Sequence, residues 1–284
     1  YTTGRYGSQS SESSIIGYVL SGKIPDIVTE LISEIAKTSP TSPKWFQLYF
    51  STKNPELSYS MVERAEKVGY EAIVITVDTV MAGWREGDIR SQFSPLSLGF
   101  GKGNFVSDEV FLNALPSQDE ESIISSILEN IEHPTLTWKH IEEIKKHTTL
   151  PIVLKGILHP EDAKLAMEHG IDGIIVSNHG GRQLDGLIAS IDALPAIVEV
   201  VNGQIPVLFD SGIRRGIDAV KALALGADGV LIGRPFLYGL ATYGQQGVVK
   251  VLERFIQETE VSLALSGISD LTKVKNIKMV RDSR

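Results

Sequence analysis

The sequence predicts an α/β fold, a (β/α)8 TIM barrel, and three observations lead to this prediction. Similar strings occur at residues 69–76, 170–177 and 226–233, and each begins with a glycine suited to ending a helix before an apolar strand. These strands are apolar at successive positions, as strands covered on both faces require. Segments with helical spacing of apolar residues lie between the strands, which predicts a parallel sheet. A doubly wound sheet is the alternative arrangement.

The other elements are predicted in chain order. Apolar spacing predicts a helix at 25–37, and the apolar run at 45–50 predicts a buried strand. Asn54, Pro55 and Glu56 predict a helix start, with a side-chain cap, a proline in the first turn and an acid that meets the helix dipole. Two further strands are predicted at 150–156 and 205–212, followed by helices at 161–169 and 216–225.

Six strands, and therefore about six βα units, can be placed after residue 44, whereas a closed barrel needs eight. Residues 1–14 are polar and Ser-rich and are predicted to form a loop or a disordered leader. We divide the chain into a leader with a partial N-terminal region at 1–40 and a barrel domain at 41–284. An inserted loop at about 91–132 is interpreted as a lid. The missing strands, and Tyr1 in place of methionine, lead us to expect that the barrel lacks its N-terminal part.

The composition argues against several classes of protein. The 284 residues carry 27 Lys and Arg against 35 Asp and Glu, and the net charge of −8 argues against a nucleic-acid partner. Without cysteine the chain can form neither a disulfide nor a thiolate metal site, and we predict no metal ligands. No apolar run approaches the roughly 18 residues of a membrane span. We expect a cytoplasmic protein without a membrane partner.

Polar side chains occur where the predicted strands end. Barrel enzymes carry out their chemistry at the carboxyl ends of the strands. The residues at or just past these ends are Gln47, Tyr49, Thr76, Asp78, Lys155, Ser177, His179, Asp210 and Arg234. Such a set is unusually polar for positions next to a core, so the sequence predicts a functional site there.

The string SNHGGRQLDG at 177–186 directly follows a predicted strand. His179 lies just past the strand end and can accept a proton near neutral pH. Arg182 offers a guanidinium fork suited to a carboxylate, and the two glycines before it allow a ligand to approach the backbone closely. The simpler interpretation is a turn that happens to contain His and Arg, but the whole ten-residue string favours a functional site.

Glycines, a helix start and arginines occur together at the last two strands, as in the usual phosphate site of barrels. The residues concerned are Asp210, Gly212, Arg214, Gly233 and Arg234. Arg214 and Arg215 would place positive charge at a helix start, where it opposes the dipole. The sequence therefore favours a bound anion over two solvated charges.

Two further cations have more than one interpretation. Lys155 ends a predicted strand and is compatible with a Schiff-base lysine, a charge stabiliser or a salt-bridged residue. Arg85 lies in the loop after the Thr76 strand and is either a second carboxylate clamp or a surface charge.

Taken together, the strings resemble the FMN-dependent α-hydroxy-acid oxidase and dehydrogenase family over about residues 43–267. They are PKWFQLYF, AIVITVDT, GWREGDIR, LPIVLKGILHPEDA, SNHGGRQLDG, PVLFDSGIRRG, ALALGADGVLIGRPFLYGLA and LALSG. SNHGGRQ is highly specific to that family. The strings FVSDEVF, HPTLTW and GWRE are most similar to its lactate 2-monooxygenase branch.

The resemblance implies a role for each matching residue. His179 matches the active-site base, and Asp78 matches the carboxylate that orients it and stabilises its protonated form. Arg85 and Arg182 match residues that pair with the substrate carboxylate, and Tyr49 matches a residue lining the substrate pocket. The residues that match contacts to the flavin ring are Gln47, Thr76, Lys155 and Ser177. Those that match the ribityl and phosphate site are Asp210, Gly212, Arg214, Gly233 and Arg234.

The activity implied by the resemblance is FMN-dependent oxidation of a small L-2-hydroxy acid, with L-lactate as the expected substrate and O2 as the acceptor. The monooxygenase branch would add decarboxylation of the keto acid to acetate and CO2. Hydride transfer and a carbanion route both remain open, and a homotetramer is implied by resemblance alone. One alternative is an N-terminally truncated relative that acts as a binding or assembly module. A Schiff-base aldolase using Lys155 is another, but it leaves SNHGGRQ unexplained.

Overall fold

The computed structural model describes residues 6–8, 32–38, 40–92, 96, 101–132 and 134–280. The chain divides into two compact units. The first comprises Tyr1–Lys155 and Arg182–Asp185, and the second comprises Gly156–Gly181 and Gly186–Arg284. The division runs through one strand, so that its first four residues belong to the first unit and its last two to the second.

Parallel strands that are adjacent in chain order form the first unit's sheet. They are β1 (Tyr6–Ser8), β2 (Lys44–Leu48), β3 (Ala72–Thr76) and β4 (Ile152–Ile157). All five residues of β3 are buried, which confirms a strand covered on both faces. The helices of this unit are α1 (Ile32–Thr38), α2 (Pro55–Lys67), α3 (Glu86–Ser91), α4 (Gly103–Val106), α5 (Glu109–Ala114), α6 (Glu120–Ile131) and α7 (Trp138–Ile144).

The second unit contains β5 (Gly173–Val176), β6 (Val207–Phe209) and β7 (Gly229–Val230), again parallel and in chain order. The last two strands are shorter than the sequence predicts. The helices are α8 (Pro160–Glu168), α9 (Ser190–Val201), α10 (Gly216–Ala224) and α11 (Arg234–Leu265). Non-helical backbone at Tyr243 and Gly244 divides α11 into two helical segments.

The three repeated strings share one backbone geometry, which confirms the repeat. Gly69, Gly170 and Gly226 all have positive φ, at 85°, 64° and 108°. Each glycine N–H, and the N–H after it, donates to carbonyls of the preceding helical turn, as in Gly69 to Glu66 (3.0 Å) and Tyr70 to Ala65 (3.1 Å). Glycine adopts this left-handed geometry without the steric cost of a Cβ, so it ends each helix and starts the next strand.

Two local predictions about the front of the chain are wrong. Tyr6–Ser8 were predicted within a loop or disordered leader but form β1, whose residues pair with Lys44, Trp45 and Phe46. A three-residue segment with glycine at its centre has only a weak strand signal of its own, so the pairing with β2 decides its structure. Asn54 precedes α2 as predicted, but its side chain makes no capping hydrogen bond. Its carbonyl accepts from Leu57 N–H at 3.1 Å instead.

The predicted helix at 25–37 is seen as α1, and its residues 25–31 lie outside the described residues.

The predicted loop at 91–132 is helical over most of its described length, and its role as a lid stays a prediction. Phe105, Phe111 and Ile127 are buried, so the segment is docked in this structure. Asp108 is fully buried and accepts from Ser60 Oγ and Arg64 Nη1 of α2, both at 2.7 Å. Residues 93–95 and 97–100 lie outside the described part of the chain, so the prediction stays a prediction there.

Removing the Asp108 carboxylate should destabilise the first unit. We expect Asp108→Ala to lower the free energy of unfolding by about 3 kcal/mol, because it leaves the partly buried Arg64 unpaired and also removes the cap that accepts from Val110 N–H. Urea denaturation measures this change. Glu109→Ala at the exposed neighbouring position should cost less than about 0.5 kcal/mol. Equal losses in the two variants would contradict the docking role of Asp108.

No helix in the described ranges has both the length and the apolarity needed to cross a membrane. The same ranges contain no cluster of three or more His, Asp or Glu side chains able to hold a metal ion.

Candidate functional site

The first unit presents three polar side chains on one face of its sheet. Thr76 and Lys155 are register partners on β3 and β4, and paired residues of neighbouring strands share a face. Gln47 pairs with Val74, two residues before Thr76, and so lies on that face as well. All three are almost fully buried, with 2% exposure for Gln47, 0% for Thr76 and 4% for Lys155. The strands thus form a buried polar wall, Gln47–Thr76–Lys155.

The amide of Gln47 has hydrogen-bonding capacity left over. Its Nε2 donates to Thr76 Oγ1 at 2.6 Å. Its Oε1 is buried and has no hydrogen-bond partner among the described residues. A buried polar atom without a partner costs about 1–3 kcal/mol and is uncommon in native proteins. This amide atom is therefore suited to a polar ligand at the wall.

Two arginines of the predicted carboxylate clamp lie in one loop cluster of the first unit. Arg85 donates from Nη2 to Gln183 Oε1 at 2.9 Å and from Nε to the Arg182 carbonyl at 3.3 Å. Arg182 Nη2 lies 3.6 Å from Asp88 Oδ2, with both side chains about 40% exposed. An exposed pair of this length contributes little to stability, so Arg182 can exchange Asp88 for a ligand carboxylate at low cost. Two guanidinium groups within one cluster suit a small carboxylate.

Two other predicted residues of this unit stand beside the same elements. Tyr49 directly follows β2 and Asp78 lies two residues past β3, and both are half-buried. The Asp78 carbonyl accepts from Gln183 Nε2 at 3.3 Å, which ties the end of β3 to the loop that carries Arg182.

The second unit places His179 in a strained backbone turn. His179, Gly180 and Gly181 have φ of 57°, 65° and 71°, so three successive residues are left-handed. A residue with a side chain pays about 1–2 kcal/mol for this conformation. Such strain persists where surrounding contacts enforce it, and it is frequent at functional sites. Ser177, fully buried at the end of β5, accepts from His179 N–H at 3.0 Å.

Ser211, two residues past the end of β6, holds this turn. Its Oγ accepts from Gly180 N–H at 2.9 Å and from Asn178 N–H at 3.3 Å, and donates to Asp210 Oδ1 at 2.7 Å. Ser211 itself has φ of 76°, which glycine would adopt at lower cost. The hydroxyl therefore contributes contacts that offset the backbone strain at this position. Sequence reasoning assigned Ser211 no role, because neither its φ nor its distant partners can be read from the string DSG.

Two substitutions separate the hydroxyl of Ser211 from its backbone strain. Ser211→Ala should lower the free energy of unfolding by about 2 kcal/mol, because two backbone N–H groups lose their acceptor while the strained φ remains. Ser211→Gly loses the same hydrogen bonds but relieves the strain, so it should be about 1 kcal/mol more stable than the alanine variant. Urea denaturation compares the two, and a glycine variant less stable than the alanine variant would contradict this account.

The structure corrects the predicted phosphate site at Arg215. Arg215 pairs with Glu258 at 2.6 Å, and this hydrogen bond lowers the pKa of Glu258 and raises the pKa of Arg215. Asp218 Oδ2 accepts from the N–H groups of Arg214 and Arg215, and Glu258 Oε2 accepts from Gly216 N–H. Carboxylates of the chain thus meet the positive start of α10, and Arg215 needs no bound anion.

The remaining predicted members of the phosphate site include two exposed glycines. Gly212, with φ of 81°, and Gly233 are exposed, and a Cβ on either would meet no described atom within 4 Å. Arg234 begins α11 and donates from Nη2 to the Gly180 carbonyl at 3.1 Å. Arg214 is exposed beside them. Asp210 follows β6, and its N–H donates to Val176 O at 3.0 Å. The second unit thus brings the turn of His179 next to Asp210 and Arg234.

Comparison with known proteins identifies the family to which the chain belongs. The model of the FMN-dependent dehydrogenase family matches residues 16–281. The chain belongs to the FMN-dependent dehydrogenase family. This agrees with the resemblance read from the sequence, and it makes FMN the cofactor of the site.

Curated members of the family cover most of the chain. An L-lactate oxidase of Lysinibacillus sphaericus is 57% identical over 90% of this chain, which covers 66% of that protein. 2-Hydroxyacid oxidase 1 of Mus musculus is 44% identical, and the chain covers 68% of it. The chain thus spans about two thirds of the length of these relatives.

Solved structures of the family confirm the fold. A lactate oxidase of Pediococcus acidilactici aligns with a TM-score of 0.79 at 35% identity, covering 95% of this chain and 71% of that one. A mandelate oxidase variant aligns with a TM-score of 0.71 at 38% identity, covering 87% and 65%. The parallel strands with intervening helices are therefore those of an FMN-dependent α/β barrel.

The residues present fit FMN. The flavin ring has an edge of alternating donors and acceptors, which suits the unpartnered amide atom of Gln47 and the buried cation of Lys155. The phosphate is an anion that suits exposed Arg214 and the open backbone at Gly212 and Gly233.

Proposed function

We propose that this family member oxidises a small L-2-hydroxy acid, with L-lactate as its substrate and O2 as the electron acceptor. In balanced form, L-lactate and O2 give pyruvate and H2O2. The observation that carries the proposal is that Arg85 donates to the backbone carbonyl of Arg182, so that two arginines lie in one loop cluster of the unit that contains the Gln47–Thr76–Lys155 wall. The L-lactate oxidase of Lysinibacillus sphaericus, 57% identical, supports lactate as the substrate.

Within this proposal, each predicted site residue has a role in binding, proton transfer or charge stabilisation. Arg85 and Arg182 bind the substrate carboxylate and fix the position of the hydroxyl-bearing carbon. His179 accepts the proton that the substrate loses as its two electrons leave, and Asp78 matches the carboxylate that partners this base in the family. The chemistry supplied by FMN is a two-electron acceptor that O2 can reoxidise, which no amino-acid side chain provides. Lys155 places positive charge where the reaction deposits negative charge.

We further propose that the product distinguishes the two branches of this chemistry. An oxidase releases pyruvate and H2O2. A monooxygenase retains both until they react, so that L-lactate and O2 give acetate, CO2 and H2O. The strings FVSDEVF, HPTLTW and GWRE support the second outcome, whereas the 57% identical lactate oxidase supports the first. Identification of the organic product, pyruvate or acetate, and an assay for H2O2 separate them.

The test of the whole proposal is an absorbance spectrum of the protein reconstituted with FMN. The flavin band should bleach under anaerobic conditions when L-lactate is added and return when O2 is admitted. D-lactate serves as the control for stereochemistry. Protein that fails to take up FMN, or that keeps its flavin band with every L-2-hydroxy acid tried, would refute the proposal and favour a binding module.

We also propose a cytoplasmic homotetramer. The resemblance to the family supports the assembly, as do the exposed apolar side chains of α11, with Tyr238 at 66%, Tyr243 at 77% and Leu265 at 85% exposure. Light scattering of the purified protein tests the oligomeric state, and cell fractionation tests the location.

A further inference from the structure

Gln183 occupies the centre of the loop cluster that carries the two arginines. Its Oε1 accepts from Arg85 Nη2 at 2.9 Å. Its Nε2 donates to the carbonyl of Met81 at 2.9 Å and to that of Asp78 at 3.3 Å. The half-buried amide of Gln183 thus forms hydrogen bonds through both its oxygen and its nitrogen, and all of its partners lie in the segment that follows β3.

The backbone around Gln183 shows that this contact is close and specific. A Cβ on Gly83 would lie 2.2 Å from the Arg182 carbonyl oxygen and 2.8 Å from Gln183 Cα. Only glycine allows the two segments to approach so closely. Arg182–Asp185 also group with the first unit, whereas the chain on both sides of them belongs to the second. The amide of Gln183 is one of the polar contacts that join this segment to the rest of the first unit.

The contact with Gln183 affects how the guanidinium of Arg85 is oriented. A guanidinium has five N–H donors in a rigid plane, so fixing Nη2 on one acceptor and Nε on another sets the orientation of the remaining donors. Gln183 provides a neutral acceptor, which orients the group without neutralising its charge. A carboxylate there would hold Arg85 more tightly but would compete with a substrate for that charge.

We propose that Gln183 is a positioning residue that orients Arg85 toward the substrate carboxylate. It acts through Arg85, and the same amide holds the backbone that carries Asp78. The inference rests on the proposed function, because it requires an anionic substrate at this cluster. It adds a determinant of specificity for carboxylate over uncharged substrates.

The first experiment compares L-lactate with L-lactamide, which lacks the carboxylate. Gln183→Met keeps the side-chain volume and removes all three hydrogen bonds. It should raise the KM for L-lactate by about 10-fold, with a smaller fall in kcat, and should change kcat/KM for L-lactamide by less than about 2-fold. Gln118→Met, at an exposed position, is the matched control and should behave as wild type. Equal losses on both substrates would show a merely structural role and overturn the proposal.

Two further variants test the route through Arg85. In an Arg85→Met background, Gln183→Met should have little additional effect on the KM, because the group it orients is gone. Full additivity would overturn the proposal. Gln183→Glu should raise the KM for L-lactate at neutral pH. The KM should fall again at lower pH, where the introduced carboxylate is protonated. A raised KM that does not change with pH would count against competition for the charge of Arg85.

Calorimetric titration with pyruvate gives a readout that does not depend on turnover. The Kd should rise by about 10-fold in Gln183→Met, with circular dichroism and FMN content unchanged. If wild type oxidises L-lactate while the variant keeps its KM and Kd, the positioning role fails and the proposed function stands. If wild type neither oxidises 2-hydroxy acids nor binds pyruvate, both fail.

Discussion

Replacing His179 by asparagine should lower kcat for L-lactate by about 1,000-fold, because general acid–base groups contribute 10²–10⁴-fold to such reactions. Asparagine is the informative choice because His179 has φ of 57°, a conformation that asparagine tolerates better than alanine does. The turn and its hydrogen bonds to Ser177 and Ser211 should therefore persist. Anaerobic stopped-flow measurement of flavin bleaching gives the rate directly.

The matched control for this prediction is His169→Asn. His169 directly follows α8 and precedes β5, at the opposite end of that strand from His179. Its replacement should leave kcat within about 2-fold of wild type, as expected for a surface-proximal substitution outside the site. A His179→Asn variant that retains FMN and loses less than about 10-fold in kcat would show that another group accepts the proton.

Replacing Lys155 by methionine should lower kcat/KM for L-lactate by about 100-fold, since one preorganised electrostatic group at developing charge contributes 10²–10³-fold. The buried position strengthens its effect, because low local polarity increases charge interactions. Lys155→Arg should lose less than Lys155→Met because it keeps the positive charge. Anaerobic reduction of the flavin by L-lactate measures all three proteins.

Lys44 offers a matched buried lysine outside the site. It is 7% exposed at the start of β2, whereas Lys155 is 4% exposed near the end of β4. Lys44 Nζ donates to the Ser42 carbonyl at 2.6 Å. Lys44→Met should therefore reduce stability by about 1–3 kcal/mol while kcat/KM of the folded protein is retained. Similar losses of kcat/KM in the Lys44 and Lys155 variants would mean that both act through folding.

The strands and their ends were predictable because they depend on local order along the chain. Successive apolar residues identify β3 and β5, and a glycine before each strand specifies where the preceding helix stops. Lys155 and His179 then follow as strand-end residues, since the chain must place them there once the strands form. These features need no knowledge of which segments meet.

The insertion and the cation sites were less predictable, because they depend on contacts between residues far apart in the chain. The helices at 103–131 dock through Asp108, whose partner Arg64 lies 44 residues earlier in the chain. The anion predicted at Arg215 is replaced there by Glu258, 43 residues later. Charge at a helix start can be balanced by a ligand or by the chain itself, and the string DSGIRRG looks the same in both cases.

The sequence by itself thus determined the fold class and the family, and it predicted the residues proposed to bind a cofactor and a carboxylate. The tertiary structure alone decided how those residues are held. Gln183 meets Arg85 across 98 residues, and Ser211 meets Gly180 across 31. A hydrogen bond between distant residues depends on the distance and angle at which two folded segments meet, and no local pattern of side chains encodes that geometry.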